Sequence, residues 1–334
     1  MIDVKDCFKT VLTIAGTVIG AGFISGREIV TFFYGYNAVL SSAVFSVLFF
    51  IATIILFFDT DYVNSKYFAA AKPLIYIGDL VLCAGMLSAL NEIYNSVFPF
   101  MNETFILPVI TLIVSNVIVS GGIEGLKSAN TFLTPVIIVI AVFSVVYIGF
   151  DDVTVFSAVS PVNLCSYVGL NVFTSCLVFA EIGKKTQKKT KFLAAFIVSV
   201  LLGALIFMIL SAFSSADKSI LDADMPLLSY MKGNGAFSVV FFVALVFGIV
   251  TTLISCHCPL YALVKTEKLN FLTQACLSIL IFMISRLGFY GIVSSVYPVM
   301  GAIGFIYIFI TCVLKAIFPP KQRKNTLSPR ERKV

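Results

Sequence analysis

The apolar positions of this chain come in long uninterrupted runs, separated by short polar stretches. Most runs are close to the ~20 residues that a helix needs to cross the hydrocarbon core of a bilayer. The pattern therefore predicts an all-α polytopic membrane protein with ten transmembrane helices. The predicted spans are 7–36, 38–58, 73–98, 104–120, 125–149, 164–183, 190–212, 235–258, 269–286 and 289–315.

The composition strengthens this prediction. Of 334 residues, 59% are hydrophobic and only 12% are charged, and the mean hydropathy is +1.04. A soluble domain of this size could not enclose that much apolar surface, so the composition excludes soluble enzymes and soluble binding modules. The first run is too long for a signal-peptide core, and no small-residue cleavage site follows it, so it is expected to remain as the first span.

The basic residues predict the topology. If the N-terminus is cytoplasmic and the chain crosses ten times, nineteen of the twenty-three Lys and Arg residues fall on the cytoplasmic side. This asymmetry follows the positive-inside rule. It predicts a multi-pass protein of the bacterial cytoplasmic (inner) membrane with both termini inside. The net charge of +6 is thereby explained by the orientation of the chain in the lipid bilayer, and no nucleic-acid partner is expected.

Ten spans divide into two units of five around the loop at 150–163. Because five is odd, a second unit must start on the opposite side of the membrane, so the predicted organisation is a 5+5 inverted repeat. We expect one unit at 1–149 and the other at 150–315. The basic tail at 316–334 is expected to be disordered and attracted to anionic lipid.

The first span contains a glycine-rich interruption. Residues 15–28 hold four glycines within eleven positions and end in Arg27 and Glu28, and each glycine weakens a helix interior by about 1 kcal/mol. The pattern indicates either a broken helix whose backbone binds a solute or ion, or a small-residue face for helix packing. The sixth span has a corresponding polar, glycine-containing stretch at 166–175, which predicts a second broken span.

These stretches carry a resemblance to a known family. The segment Ala15-Gly16-Thr17-Val18-Ile19-Gly20-Ala21-Gly22, together with Gly248-Ile249-Val250-Thr251-Thr252, resembles motifs of the amino acid–polyamine–organocation (APC) superfamily. Its members have the fold of the sodium-coupled leucine transporter. Gly20-Ala21-Gly22-Phe23 followed by Ser25-Gly26-Arg27-Glu28 looks most like the YkvI-type bacterial membrane proteins.

The resemblance implies a sodium site and a substrate site. Sodium would be held by the carbonyls of Gly16, Ile19 and Gly248 and the hydroxyls of Thr251 and Thr252, although these hydroxyls could instead bond to their own helix. A second sodium is not expected, because Phe23 stands where some relatives have asparagine. The residues expected around the substrate are Thr17, Gly20, Ala21, Gly22, Tyr167, Asn171 and Phe173.

Three ionisable residues are further candidates. Arg27 and Glu28 either gate the outer mouth or lie at the interface with Arg27 extended toward water. Glu92 is either a proton-binding carboxylate or a water-exposed residue at a helix end. Cys256-His257-Cys258 is not expected to bind a metal, because adjacent helical residues point in different directions.

The resulting prediction is a secondary active transporter. The preferred function is sodium-coupled symport of an amino acid or similar small zwitterion. Sodium is the expected coupling ion, and no other cofactor is expected. Proton coupling through Glu28 or Glu92 is an alternative within the same class, and a solute-sensing membrane receptor is an alternative of another class. An enzyme is not expected, because the chain lacks a serine–histidine, paired-aspartate or metal constellation.

Overall fold

The computed structural model describes residues 3–58, 66–97, 106–149, 158–231, 235–264 and 270–317. Within these ranges the secondary structure is helical and contains no strand. The helices are α1 (Val4–Val18), α2 (Ala21–Ile24), α3 (Arg27–Phe33), α4 (Ala38–Phe58), α5 (Lys66–Val97), α6 (Ile106–Ser120), α7 (Gly122–Ile148), α8 (Pro161–Lys185), α9 (Lys188–Ala212), α10 (Lys218–Leu221), α11 (Pro226–Met231), α12 (Gly235–Val264), α13 (Asn270–Ser285), α14 (Phe289–Gly291) and α15 (Tyr297–Ile317), with a π-helical turn at Ile292–Val296 before α15.

The helices overlap every predicted span. Among the described residues, six helices are long and apolar enough to cross a membrane, or seven if the bent helix α8 counts as one span, and two shorter apolar helices lie at Ile106–Ser120 and Phe271–Ser285. The six are Ala38–Phe58, Lys72–Asn95, Gly122–Ile148, Lys188–Ala212, Phe237–Val264 and Phe289–Ile310. An all-helical protein with several apolar spans is thus confirmed, whereas ten crossings and the inverted repeat remain predictions. Most of the predicted tail lies outside the described residues.

The sixth predicted span is bent. Its helix α8 consists of Pro161–Val172 and Thr174–Lys185, which are bent by 52° relative to each other. Side chains near the bend bond to their own helix, since Asn171 Nδ2 donates to the Tyr167 carbonyl (2.9 Å) and Thr174 Oγ1 to the Leu170 carbonyl (2.7 Å). The interruption predicted for this span is therefore a bend in a continuous helix.

Helices from the two predicted halves interleave. Helix α1 packs against α7, α9 and α12, while α8 packs against α4 and α15. Many buried hydroxyls inside the bundle donate to carbonyls one turn back, as where Thr17 Oγ1 donates to Thr13 O at 2.8 Å. Such bonds let polar side chains lie among apolar helices without exposing unpaired groups. Helices α8 and α12 lie against the pieces of the interrupted first span, since α12 contacts α1 and α2 and α8 contacts α1 and α3.

Small residues allow α8 and α15 to approach closely. A Cβ added at Gly169 would overlap the carbonyl oxygen of Gly301 and lie 2.5 Å from the Phe305 amide nitrogen. A Cβ added at Gly301 would overlap the Ser166 carbonyl. Backbone atoms cannot turn aside as side chains do, so glycine is required at both positions.

Gly301→Ala is expected to destabilise the protein by about 1–3 kcal/mol, because the added methyl forces α8 and α15 apart. The melting temperature of the purified protein measures this effect. Gly291→Ala is the matched control, since a Cβ there meets nothing within 4 Å. Equal melting temperatures for the two variants would contradict the close packing.

Candidate functional site

The first predicted span is broken where the glycines predict it. Helix α1 ends at Val18, Ile19 leaves helical geometry, and Gly20 is extended with φ −97° and ψ −175° before α2 begins. Backbone amide groups at the start of α2 have no helical partner, as at any helix N-terminus. The break thus presents backbone polar groups inside the bundle.

A second interruption follows at Gly26. Its φ of +79° lies in the left-handed region, and it separates α2 from α3. A Cβ here would also lie 2.5 Å from Phe213 Cε2, so conformation and packing both select glycine. The segment thus consists of three helical pieces, one more than predicted.

Helix α12 lies directly beside the first break. A Cβ added at Gly248 would be 3.5 Å from the carbonyl carbon of Gly20 and 3.7 Å from the Ala21 nitrogen. A Cβ added at Gly20 would be 2.7 Å from Thr252 Oγ1. The two motifs behind the predicted sodium site, more than 200 residues apart in sequence, are therefore in contact.

The two threonines of α12 differ. Thr251 Oγ1 donates to the Gly248 carbonyl at 3.0 Å, which is the alternative that the sequence left open. Thr252 Oγ1 is buried and has no hydrogen-bond partner among the described residues. Because a buried hydroxyl without a partner is unfavourable, Thr252 is the better candidate for a ligand contact.

Gly16 faces helix α7. A Cβ there would be 2.9 Å from Asn130 Cγ and would overlap Thr134 Oγ1, both on α7. Asn130 Nδ2 donates to Thr13 O at 3.1 Å, while Asn130 Oδ1 and Thr134 Oγ1 have no partner among the described residues. Gly16 thus permits the close approach of α1 and α7, and its role in sodium binding stays a prediction. Nothing in the sequence pattern had indicated that Asn130 and Thr134 would place oxygen atoms here.

Glu28 turns inward toward the break. Its carboxyl group packs against Gly22 so closely that a Cβ added there would overlap Oε1 and lie 2.8 Å from Cγ. Tyr167 Oη donates to Glu28 Oε2 at 3.0 Å, and Glu28 is only 5% exposed. Glu28 therefore links the broken first span to the bent helix α8.

Aromatic rings surround this pair. The rings of Phe32, Phe33 and Phe45 have centroids 5.0, 5.1 and 5.5 Å from that of Tyr167. The ion pairs found among the described residues join Lys184 to Glu181 and Lys185 to Glu124, so Glu28 has no basic side-chain partner there. A carboxyl group in such surroundings favours a bound cation or a proton.

Arg27 points away from Glu28. It is 7% exposed, and its Nη1 donates to the carbonyls of Leu221 (2.9 Å) and Ala223 (3.4 Å). Its guanidinium carbon lies 4.3 Å from the Tyr290 ring centroid. Arg27 therefore does not extend into water, and its hydrogen bonds hold the segment 217–231 against α3. We call these hydrogen bonds, together with the one from Leu227 N to Ser25 O at 2.8 Å, the Arg27 clasp.

The other predicted residues lie apart from this site. Glu92 is half-buried on α5 and lies within electrostatic reach of Asp224. The side chain of Phe173 lies outside the described part of the structure. His257 is buried with Nδ1 2.8 Å from Ser115 Oγ, and the described residues contain no group of three His, Cys, Asp or Glu able to hold a metal.

A cavity opens at the opposite end of the bundle from the Arg27 clasp. It has a volume of about 460 Å³, and we call it the Tyr76 cavity. Its lining includes Lys72, Tyr76, Glu181, Cys258 and Tyr261. By the charge distribution, this is the predicted cytoplasmic side.

Comparisons with known proteins find a relative by sequence and a solved structure with a similar fold. No family model matches the chain. It is 24% identical to the uncharacterized membrane protein YkvI of Bacillus subtilis (strain 168), over 92% of this chain and 95% of that protein. A solved structure of a Na⁺-coupled sialic acid symporter, in a substrate-bound outward-open state, matches 92% of this chain and 79% of its own with a TM-score of 0.59 and 13% identity. The chain shares that symporter's fold.

Proposed function

We propose that this chain is a sodium-coupled secondary transporter of a small zwitterionic solute such as an amino acid. It would cross the cytoplasmic membrane ten times as a 5+5 inverted repeat with both termini inside. The proposal places the solute at the break of the first span, between α1, α3, α8 and α12. The fold shared with a Na⁺-coupled symporter supports this class of function.

The observation that carries the proposal is the position of Thr252. Its buried hydroxyl has no partner among the described residues and lies against Gly20, at the break. Sodium prefers several neutral or anionic oxygens, and in the proposal the backbone carbonyls at the break supply them beside this hydroxyl. In the proposal, Thr252 and these carbonyls hold the ion, with the Thr251 hydroxyl reorienting from Gly248 when sodium binds.

Glu28 supports a solute with a positively charged group. Its carboxyl group lies at Gly22, one of the residues that the resemblance places around the substrate. A bare carboxylate ligand would be repelled there, whereas a zwitterion can pair its ammonium group with Glu28 and direct its own carboxylate to the amides of α2. Phe32 and Tyr167 would line this position with aromatic rings, which favour cations.

Cavities at both ends of the bundle fit alternating access. A cavity of about 560 Å³, lined by Arg27, Tyr34 and Asp222, lies on the predicted outer side, and the Tyr76 cavity lies on the predicted inner side. A transporter needs a solute site that is reached from one side at a time. In the proposal, the solute site lies between these two cavities, and the Arg27 clasp separates it from the outer one.

Counterflow in proteoliposomes tests the proposal. Vesicles loaded with an unlabelled zwitterion are diluted into its labelled form, with sodium or choline on both sides, across a panel of amino acids and related amines. We expect exchange of at least one solute that requires sodium, with protein-free vesicles as control. Exchange that follows pH and ignores sodium would instead favour proton coupling. Solute-dependent stabilisation without any exchange would identify a receptor.

A further inference from the structure

Asp79 is a buried carboxyl group that the proposed sodium and solute sites do not use. It lies on α5 and is 0% exposed. Neither of its oxygens has a hydrogen-bond partner among the described residues, and no described lysine or arginine forms an ion pair with it. An ionised carboxylate in such a place is strongly unfavourable, so the group requires a bound cation.

The neighbours of Asp79 come from three helices. Helix α5 contributes residues one turn away on either side, and α8 and α12 face it across the bundle. The titratable groups within electrostatic reach are Tyr76, Cys83, Cys176, Cys256 and Cys258. They are thiols and one phenol, and none is a cation.

This set of neighbours discriminates between a proton and a metal ion. Sodium and other hard cations take several oxygen ligands, whereas the titratable groups around Asp79 are four thiols and one phenol. Soft metals would accept thiolates, but the described residues contain no group of three His, Cys, Asp or Glu placed to hold a metal. A proton needs only the carboxyl group itself.

The Tyr76 cavity comes within one helical turn of Asp79. Tyr76 is one turn before Asp79 on α5 and lines the cavity, as does Cys258 on α12. Both side chains lie within electrostatic reach of Asp79. We propose that Asp79 is a proton-binding site that exchanges its proton with water in the Tyr76 cavity.

The step is a simple protonation. A hydronium ion in the cavity water transfers one proton to the carboxylate, giving the neutral acid and water, and the reverse step returns the proton to water. The site lies on another helix from the proposed sodium and solute residues, so it exists whether or not they bind as proposed. Its use in transport, as a second coupling site on the inner side, rests on the proposed function.

Infrared spectroscopy of the purified full-length protein tests the site without any transport measurement. The difference between the spectra of wild type and Asp79→Asn should contain the C=O stretching band of a protonated carboxylic acid. Asp217→Asn, at an exposed position whose side chain makes no capping bond, should leave that band in place. Asp79→Glu should retain a band at a shifted frequency, which keeps the test valid if the asparagine variant folds poorly.

Transfer of the protein into D₂O distinguishes a carboxyl group that exchanges its proton with cavity water from a buried acid that does not exchange. We expect the Asp79 band to shift within minutes, and alkylation of Cys258 with N-ethylmaleimide to slow the shift at least tenfold. Cys258→Ser treated with the same reagent should show no slowing. The proposal is overturned if Asp79→Asn removes no band, if the band stays unshifted for a day, or if alkylation has no effect. None of these outcomes depends on whether the protein transports sodium.

Discussion

Thr252→Val is expected to abolish the stabilisation of this protein by sodium. In wild type, sodium at 100 times its dissociation constant should add about 2.7 kcal/mol to the free energy of unfolding, seen as a higher melting temperature in sodium than in choline chloride. Valine keeps the shape of threonine but removes the hydroxyl beside Gly20. Because that hydroxyl has no partner among the described residues, the variant should be at least as stable as wild type in choline.

A matched control separates the ion site from a general effect of removing hydroxyls. Thr53 on α4 is also buried, with a hydroxyl that has no partner among the described residues. Thr53→Val should keep the full difference between sodium and choline. Equal sodium stabilisation in Thr252→Val and wild type would remove Thr252 from the ion site, and with it the observation on which sodium coupling rests.

Glu28→Gln is expected to weaken solute binding by about 10- to 100-fold, the loss that follows from removing one charge-assisted hydrogen bond. Glutamine keeps the size of the side chain and can still accept the Tyr167 hydroxyl, so the link to α8 remains. Removing a buried charge without a basic partner should also raise the melting temperature in the absence of solute. The apparent affinity in counterflow, for the solute identified there, measures the first effect.

The control for this change is Glu124→Gln. Glu124 is exposed and pairs with Lys185 at 2.7 Å, so its loss should leave solute affinity unchanged. If Glu28→Gln keeps its affinity but loses a dependence of transport on pH, Glu28 binds a proton instead of the solute's ammonium group. If it changes neither, Glu28 lies outside the site.

The break in the first span was predictable because its cause is local. Gly16, Gly20 and Gly22 weaken one stretch of helix, and helix length and hydropathy are also read directly along the chain. The contact of Gly20 with Thr252 was expected only through the resemblance, since no local rule joins residues more than 200 positions apart.

Other parts of the site depend on tertiary packing and could not be predicted. The left-handed geometry of Gly26 is set by the turn into α3, and a glycine in a sequence does not reveal its φ. The opposite directions of Arg27 and Glu28 follow from their adjacent positions on a helix, but their partners Leu221 and Tyr167 are far away in sequence. Asp79 lies in a predicted span, but nothing in the sequence reports that its oxygens lack hydrogen-bond partners among the described residues.

The Arg27 clasp has a consequence for mutagenesis. On the side of segment 217–231, every polar atom of the clasp belongs to the backbone: the carbonyls of Leu221 and Ala223 and the amide of Leu227. Alanine scanning of that segment would leave these atoms in place and report only on apolar packing. The side chains of this segment can therefore change widely while its backbone keeps the same hydrogen bonds to Arg27 and Ser25. Leu227→Pro removes the amide hydrogen at position 227, so this substitution within the segment does test the bond to Ser25 O.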